Sequence, residues 1–249
     1  MGFPSASVVG VQPWILTGTR TVTVPGAAEQ HGTLAGVWQF ARRAIAPFGD
    51  LCCVLFFERS LVEPVTAVPN RLDATIRLAK EEDLGAICRL YADDPWLWLG
   101  SHPGDMAAEQ LYRDRFLRGE RCYLAFVGDH LAHVNWTCYR WGDALPGRPL
   151  RLGSGEVYTT DAFTPAAFRG QGMHALVLGT MLNDARAQGA RHAYTIGQFD
   201  RPDALKGLRA LGWRETGRVV YFQPRASAKA LCLHRTGNTA PLFRRRATA

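Results

Sequence analysis

Hydrophobic positions along this chain recur at two spacings, and the changes from one to the other outline its elements. Over 155–164, Val157, Tyr158, Thr159, Thr160, Phe163 and Thr164 make a β-branched and aromatic stretch that stops at Pro165, which predicts a strand. The spacing then changes. Met173, Leu176, Val177, Thr180, Met181 and Ala185 fall on one helical face, with Asn183, Asp184, Arg186 and Gln188 between them. Gly189 stands where a helix C-terminal cap belongs. A second strand is predicted over 191–196. Strand, glycine-rich turn, helix, strand is a βαβ unit, which favours a parallel pair with a ligand at the strand ends.

The rest of the chain falls around that unit. Helices are predicted over 83–93 and 104–118, the second with Met106, Leu111, Phe116 and Leu117 as its apolar side. Strands over 123–127 and 131–139 make a hairpin around Gly128-Asp129, and the Gly/Pro-rich stretch 141–153 is a connection. A helix over 203–213 and closing strands over 214–222 follow. Near the front, Arg20-Thr21-Val22-Thr23-Val24 predicts a short strand. Thr33 caps a helix through Leu34, Val37, Phe40, Ala41 and Ile45, ended at Pro47. The run 51–58 is continuously apolar, so it must be covered on both faces and is expected to pack against the core. Glu63-Pro64 and Pro69-Asn70 mark a linker. Three parts result: an N-terminal extension over 1–70 packing on the core, a main domain over 71–225, and a C-terminal strand with a basic tail over 226–249.

The chemistry is concentrated in Phe168-Arg169-Gly170-Gln171-Gly172-Met173-His174. A glycine-rich turn that opens a helix presents unpaired main-chain N–H groups and the positive end of the helix dipole. Without a Cβ the backbone can approach a bulky anion closely, and the combination is a phosphate cradle. Two glycines alone also suit a surface turn; the strand before and the helix after favour the ligand reading. A dinucleotide-binding loop needs Gly-x-Gly-x-x-Gly and an acidic residue closing the next strand. Ala175 could take the last glycine's place, but the acidic residue is missing, and no Gly-Lys-Ser/Thr of a Walker loop occurs.

The order and the loop resemble motif A of the GCN5-related N-acetyltransferases, the GNAT superfamily, whose Arg/Gln-x-x-Gly-x-Gly/Ala pattern grips the pyrophosphate of acetyl-CoA. Arg169, Gly170, Gln171 and Gly172 fit it; His174 stands where Gly or Ala is usual. The helix over 203–213, closing on Leu211-Gly212-Trp213, is similar to the family's Leu-Gly-Phe signature. Ala74-Thr75-Ile76-Arg77-Leu78-Ala79 followed by Glu81, Glu82, Asp83 and Leu84 is similar to its opening strand and acid-capped first helix. The helix–strand lead-in through Phe57-Glu58-Arg59 is like that of some bacterial members. The resemblance covers about 73–223 and implies the GNAT fold, an α/β (α+β) architecture. That fold has a mixed central sheet of about six to seven strands with flanking helices. It also implies acetyl-CoA as co-substrate, no metal, and transfer of the acetyl group to an amine.

Direct attack by an amine needs a base, donors for the developing oxyanion, and an acid for the leaving thiolate. The resemblance puts the donors in main-chain N–H groups near Phe163 and Thr164. It gives Arg169, Gly170, Gln171, Gly172, Met173 and His174 to the CoA. Glu156 is the first candidate base and Asp161 the second. Glu156 and Tyr158 share a face, whereas Asp161 lies on the other unless the strand bulges. Many family members carry an acidic tyrosine where this chain has Leu208, and an asparagine near Arg201, so Tyr221 is the candidate acid, with Tyr194 or a water as alternatives. The aromatic join over 94–103, with Trp96 and Trp98, reads either as a plug over the core or as a substrate wall; Tyr158 completes the substrate-binding set. His174, in the first helical turn, would raise CoA affinity as pH falls from about 8 to 6 if its ring faced the pyrophosphate. A ring packed on the sheet would not. The departures at His174, Arg201 and Leu208 all concern CoA or its thiolate. They support an alternative, a catalytically impaired acyl-CoA-binding or regulatory module.

Composition narrows the classes further. With 249 residues and 47% hydrophobic content, the chain can bury a full core without metal or disulfides. Six cysteines show no Cys-x-x-Cys spacing and read as reduced thiols. His130 and His133 point to opposite faces of a strand and cannot share a metal. The net charge of +7 is scattered, apart from Arg42-Arg43 and Arg244-Arg245-Arg246. With no aromatic-interleaved basic stripe it suits polyanionic CoA rather than nucleic acid. The run 51–57 is too short to span a membrane. The first twenty residues lack a signal-peptide pattern, and Ala6 stands where a myristoylation motif needs Ser or Thr. A cytoplasmic protein is expected, with a small-molecule or peptide amine as acceptor, no nucleic-acid or membrane partner, and a homodimer compatible with the sequence.

Overall fold

The computed structural model describes residues 34–66, 68–92, 106–145, 148–225 and 229–239. The strand expected at 20–24 and the candidate substrate residues Trp96 and Trp98 lie outside them. Helix α1 (Leu34–Ile45) leads into strand β1 (Gly49–Ser60), and β2 (Thr75–Leu78) precedes α2 (Leu84–Ala92) and α3 (Met106–Leu117). Strands β3 (Arg121–Val127), β4 (His130–Cys138), β5 (Trp141–Leu145), β6 (Arg148–Arg151) and β7 (Glu156–Phe163) follow. Then come α4 (Met173–Ala187), β8 (His192–Gln198), α5 (Pro202–Ala210), β9 (Arg214–Pro224) and β10 (Leu231–Gly237).

Eight strands form one sheet in the order β10-β9-β1-β8-β7-β4-β3-β2. Only β7 and β8 run parallel, as the βαβ reading requires; the other neighbours are antiparallel. The sheet is wider than expected because β1 is inserted between β8 and β9. Leu51, Val54, Leu55, Phe56 and Phe57 are all buried there, as the apolar run demanded. Part of the segment read as an extension therefore lies inside the sheet. The stretch 141–153, expected to be a connection, instead contains the hairpin β5–β6. Its Leu145 and Leu150 are buried, and Pro149 is tolerated because a two-stranded ribbon leaves one N–H side of each strand unpaired.

Alternation along the strands builds two layers of core. On one face, α4 packs Leu178, Leu182 and Ala185 against Leu55, Phe57, Val157 and Ala193. The same helix puts Met173, Val177 and Met181 on Tyr123, Ala125 and Ala132. The other face is shared. Leu84, Ile87, Tyr91 and Tyr112 of α2 and α3 cover Leu124, Val134 and Trp136, while the β5–β6 hairpin covers Val54, Phe56, Tyr158 and Tyr221. Each fully buried side chain of this kind contributes roughly 1.5–3 kcal/mol. Helix α1 is attached more thinly, through Trp38 against Phe199 and an Arg42–Asp200 ion pair. Val37 and Phe40, two of the apolar positions along it, are exposed. Asn183 of α4 clasps the link from β1 to β2, accepting Val65 N–H at 2.8 Å and donating to Val65 O at 3.1 Å. No helix among the described residues is long and apolar enough to cross a membrane.

Candidate active site where two parallel strands part

β7 and β8 pair only from Glu156/His192 to Thr159/Thr195, although β7 runs on to Phe163 and β8 to Gln198. At the last paired position the Thr195 hydroxyl donates to Thr159 O at 2.9 Å. Just beyond, the β4–β7 register slips between Val134/Phe163 and Trp136/Thr160, and Asp161 has a φ of 51°. This is a β-bulge, and the extra residue bends β7 away from β8. Main-chain groups of β7 that face β8 past Thr159 therefore have no neighbouring strand to bond. Such a gap suits a ligand that can accept from backbone N–H.

The glycine loop follows directly. After a 3-10 turn over Ala166–Phe168, Arg169 N–H bonds Ala166 O, and the Arg169 Nε donates to Thr164 O at 2.8 Å. The guanidinium, 5.7 Å from the Phe163 ring, is thus held at the loop's mouth while remaining exposed. Gly170 and Gly172 have φ of 75° and 81°, and a Cβ added to either would meet no protein atom within 4 Å. The outer side of the loop is open. Gly172 caps α4 without a side-chain bond, and the first helical bond runs from Leu176 N–H to Gly172 O at 3.0 Å. The N–H groups from Gly170 to Ala175 take no acceptor among the described residues. A left-handed pair of glycines, a run of free donors and the positive end of a 15-residue helix fit a diphosphate.

The neighbouring side chains are divided between support and site. Met173 is buried against the sheet, and the Phe163 ring packs on Tyr91. Gln171 makes only a long bond, 3.4 Å, to Ala167 O. The His174 ring packs edge-on to His133, 5.4 Å between centroids. That packing is in line with the second of the two readings of His174, a packed ring. His133, which sequence reasoning considered only as a metal ligand, instead bonds Thr164 Oγ1 through Nδ1 at 2.7 Å and props the start of the loop. Among the described residues no group of three metal-type side chains is assembled.

Burial depresses both histidines. His174 is pushed down to about 4, and His133 lies well below its ordinary value through burial and the adjacent His174. Both rings are neutral in the folded protein near pH 7, whereas the unfolded chain protonates near its ordinary value of about 6.5. The stability they protect is fully present above about pH 6.5 and is lost as the pH falls toward 4, because the unfolded state then binds more protons. Moving from pH 7 to 5 is expected to cost about 2 kcal/mol through His174 alone. Urea midpoints at the two pH values should show that loss, and His174→Phe should reduce it. Acyl-CoA affinity should show no step from this ring between about pH 8 and 6.

Glu156 opens β7, four residues before the parting, roughly 13 Å away along the strand. Its carboxylate accepts Gly153 N–H at 2.6 Å and the Tyr194 hydroxyl at 3.1 Å. Tyr158, fully buried under the β5–β6 hairpin, lies on the same side. The bulge turns Asp161 onto that side too, but commits its carboxylate to Arg115 of α3. Tyr221 sits on β9, three strands from β7, or roughly 14 Å across the sheet. It is buried, and burial with the Cys52 contact pushes its phenol far above the ordinary range. Leu208 is core beside Leu205 and Trp213, and Arg201 is the N-cap of α5.

No protein-family model matches this chain, and no curated protein does. Solved structures do. A GCN5-related N-acetyltransferase from Sphaerobacter thermophilus superposes with a TM-score of 0.52 at 12% identity, over 75% of this chain and 56% of that one. A GNAT-family acetyltransferase from Colwellia psychrerythraea gives 0.50 at 16% identity, over 74% of this chain and 61% of that one. A functionally unknown conserved protein from Staphylococcus epidermidis gives 0.50 at 11%, over 77% and 66%. The fold is that of the GCN5-related N-acetyltransferases.

Proposed function

We propose that this protein is an N-acyltransferase that moves an acyl group, acetyl in the simplest case, from acyl-CoA to an amine by direct attack. The observation that carries the reading is the unpaired gap between β7 and β8 opening beside the bare glycine loop at the head of α4. Gly170, Gly172 and the first turn of α4 would hold the diphosphate, with Arg169 at the rim. Main-chain N–H groups of β7 past Thr159 would polarise the acyl carbonyl, extending the expected donor region upstream from Phe163 and Thr164 to the bulge itself. Bound acetyl-CoA supplies an activated thioester.

Glu156 is the base this reading prefers, because its carboxylate faces the Tyr158 side and is hydrogen-bonded to a hydroxyl, that of Tyr194, through which a proton can pass. Its distance from the gap fits a relayed rather than a direct transfer. Asp161 is the weaker candidate, being engaged with Arg115. Tyr221 is too far across the sheet to serve β7 as an acid, so the thiolate leaves unassisted or to water.

The second reading, an acyl-CoA-binding module without turnover, draws its support from the buried apolar Leu208, which leaves the leaving group no proton donor there. One assay separates the two. Acetyl-CoA is incubated with small and peptide amines while thiol release and acylated product are followed. Equal amounts of both support transfer; binding without either supports the module. If the enzyme reading holds, Glu156→Gln should lower turnover by about a hundredfold with acetyl-CoA affinity unchanged.

A further inference from the structure

Asp161 is held through both its carboxylate and its main-chain carbonyl, and nothing in the acyl-CoA reading requires that bracing by itself. A non-glycine residue at a φ of 51° is uncommon, and strained backbone of this kind persists only where its surroundings hold it. Here three elements converge. The Arg115 guanidinium, 4% exposed, pairs through Nη1 with the Asp161 carboxylate and through Nε with Glu120 at 2.7 Å. It lies 4.2 Å above the Trp136 ring, and Trp136 is the partner of Thr160 across the β4–β7 ladder. From α2, the Tyr91 hydroxyl donates to the main-chain carbonyl of Asp161. Tyr91 is stacked on Tyr112 and Tyr112 on Trp136, at 5.4 and 5.6 Å. Glu120 also accepts from Arg118 at 2.6 Å and from the Cys138 thiol at 3.2 Å.

A buried charge network of this kind is seldom an efficient source of stability, since desolvation offsets most of the attraction. Its location suggests another purpose. Side chain and carbonyl of one strained residue are both clamped at the point where β7 loses its neighbour. The clamp fixes the peptide planes on either side of Asp161, and with them the direction of the free N–H groups facing the gap.

We propose that Arg115 is a positioning residue: through Asp161 it aims the main-chain donors of the β7 bulge at the acyl carbonyl of the bound thioester. It touches neither the acyl group nor CoA. This inference rests on the acyl-CoA reading, and its consequences are separable from that reading. The glycine loop determines affinity for CoA itself. The clamp determines how much tighter acetyl-CoA binds than CoA, because only the acylated form has a carbonyl to accept the bond. One net hydrogen bond corresponds to a preference of about fivefold to tenfold.

The test titrates the 249-residue chain with CoA and with acetyl-CoA, and records the infrared stretch of a carbon-13-labelled acetyl carbonyl when bound. Wild type is compared with Asp161→Asn, which keeps the size and tolerates a positive φ, and with Arg115→Lys, which keeps the charge but cannot reach Glu120 and Asp161 together. Wild type should prefer acetyl-CoA several-fold and show a lowered carbonyl frequency. In both variants the preference should fall toward one and the frequency return toward its value in water, with CoA affinity unchanged. If either variant fails to fold, the other carries the comparison. A folded variant that keeps the full preference and the wild-type frequency overturns the proposal, as does a wild type with no preference. Failure of wild type to bind CoA at all overturns the acyl-CoA reading instead.

Discussion

Trp136→Ala is expected to destabilise the protein by about 3–5 kcal/mol, the cost of emptying a large aromatic site in a core that cannot collapse around it. Trp136 is fully buried on β4, stacked on Tyr112 at 5.6 Å, tilted against Phe116 at 5.1 Å and capped by the Arg115 guanidinium at 4.2 Å. Removing the ring opens a void lined by α3 and takes away the π face that partly compensates a buried cation. Against a typical total of about 5–15 kcal/mol, that loss is a large share of the whole. Trp136→Phe should cost much less, because the indole Nε1 has no hydrogen-bond partner among the described residues and only volume is lost. Urea unfolding of the two variants checks the order. Equal midpoints for Ala and wild type would mean that this cluster does not hold the β4–β7 ladder.

Much of the fold could be read from residues alone, and the reason is local. The strand ending at Pro165, the glycines at 170 and 172, the helical spacing from Met173 and the stop at Gly189 are punctuation and periodicity within one short stretch, so α4 lies within two residues of its expected bounds. The run 51–58 announced burial on both faces, but no local pattern names the strands that would cover it; its place between β8 and β9 is a long-range choice. Hairpin β5–β6 was masked by its own prolines and glycines. The candidate site divides in the same way. The loop, with Arg169, Gly170 and Gly172, was legible because its chemistry is in the backbone. Arg115 was not: among Arg113, Asp114 and Arg118 it reads as one more charge on a solvated helix, and only the fold reveals it as buried. Nor does Thr-Thr-Asp announce a bulge, since no glycine marks the positive φ. His174 is a case that sequence leaves open. Its place in the first turn allows either a phosphate contact or a packed ring, and only the fold shows the ring edge-on to His133.

Gly172→Val should abolish acyl-CoA binding while the protein stays folded. The substituted position has a φ of 81°, which valine adopts at a cost of about 1–2 kcal/mol, and its Cβ would meet no protein atom within 4 Å. The side chain would instead stand in the open side of the cradle, where the diphosphate must come within hydrogen-bond reach of the backbone. The decisive measurement is the melting temperature of both proteins with and without acetyl-CoA. At ligand a hundredfold above its dissociation constant, wild type should gain about 2.7 kcal/mol, a rise of roughly 5–10 °C for a chain of this size. The variant should melt somewhat lower than wild type and gain nothing. No rise for wild type with any short acyl-CoA at millimolar concentration, or an equal rise in the variant, would contradict the placement of the ligand on this loop.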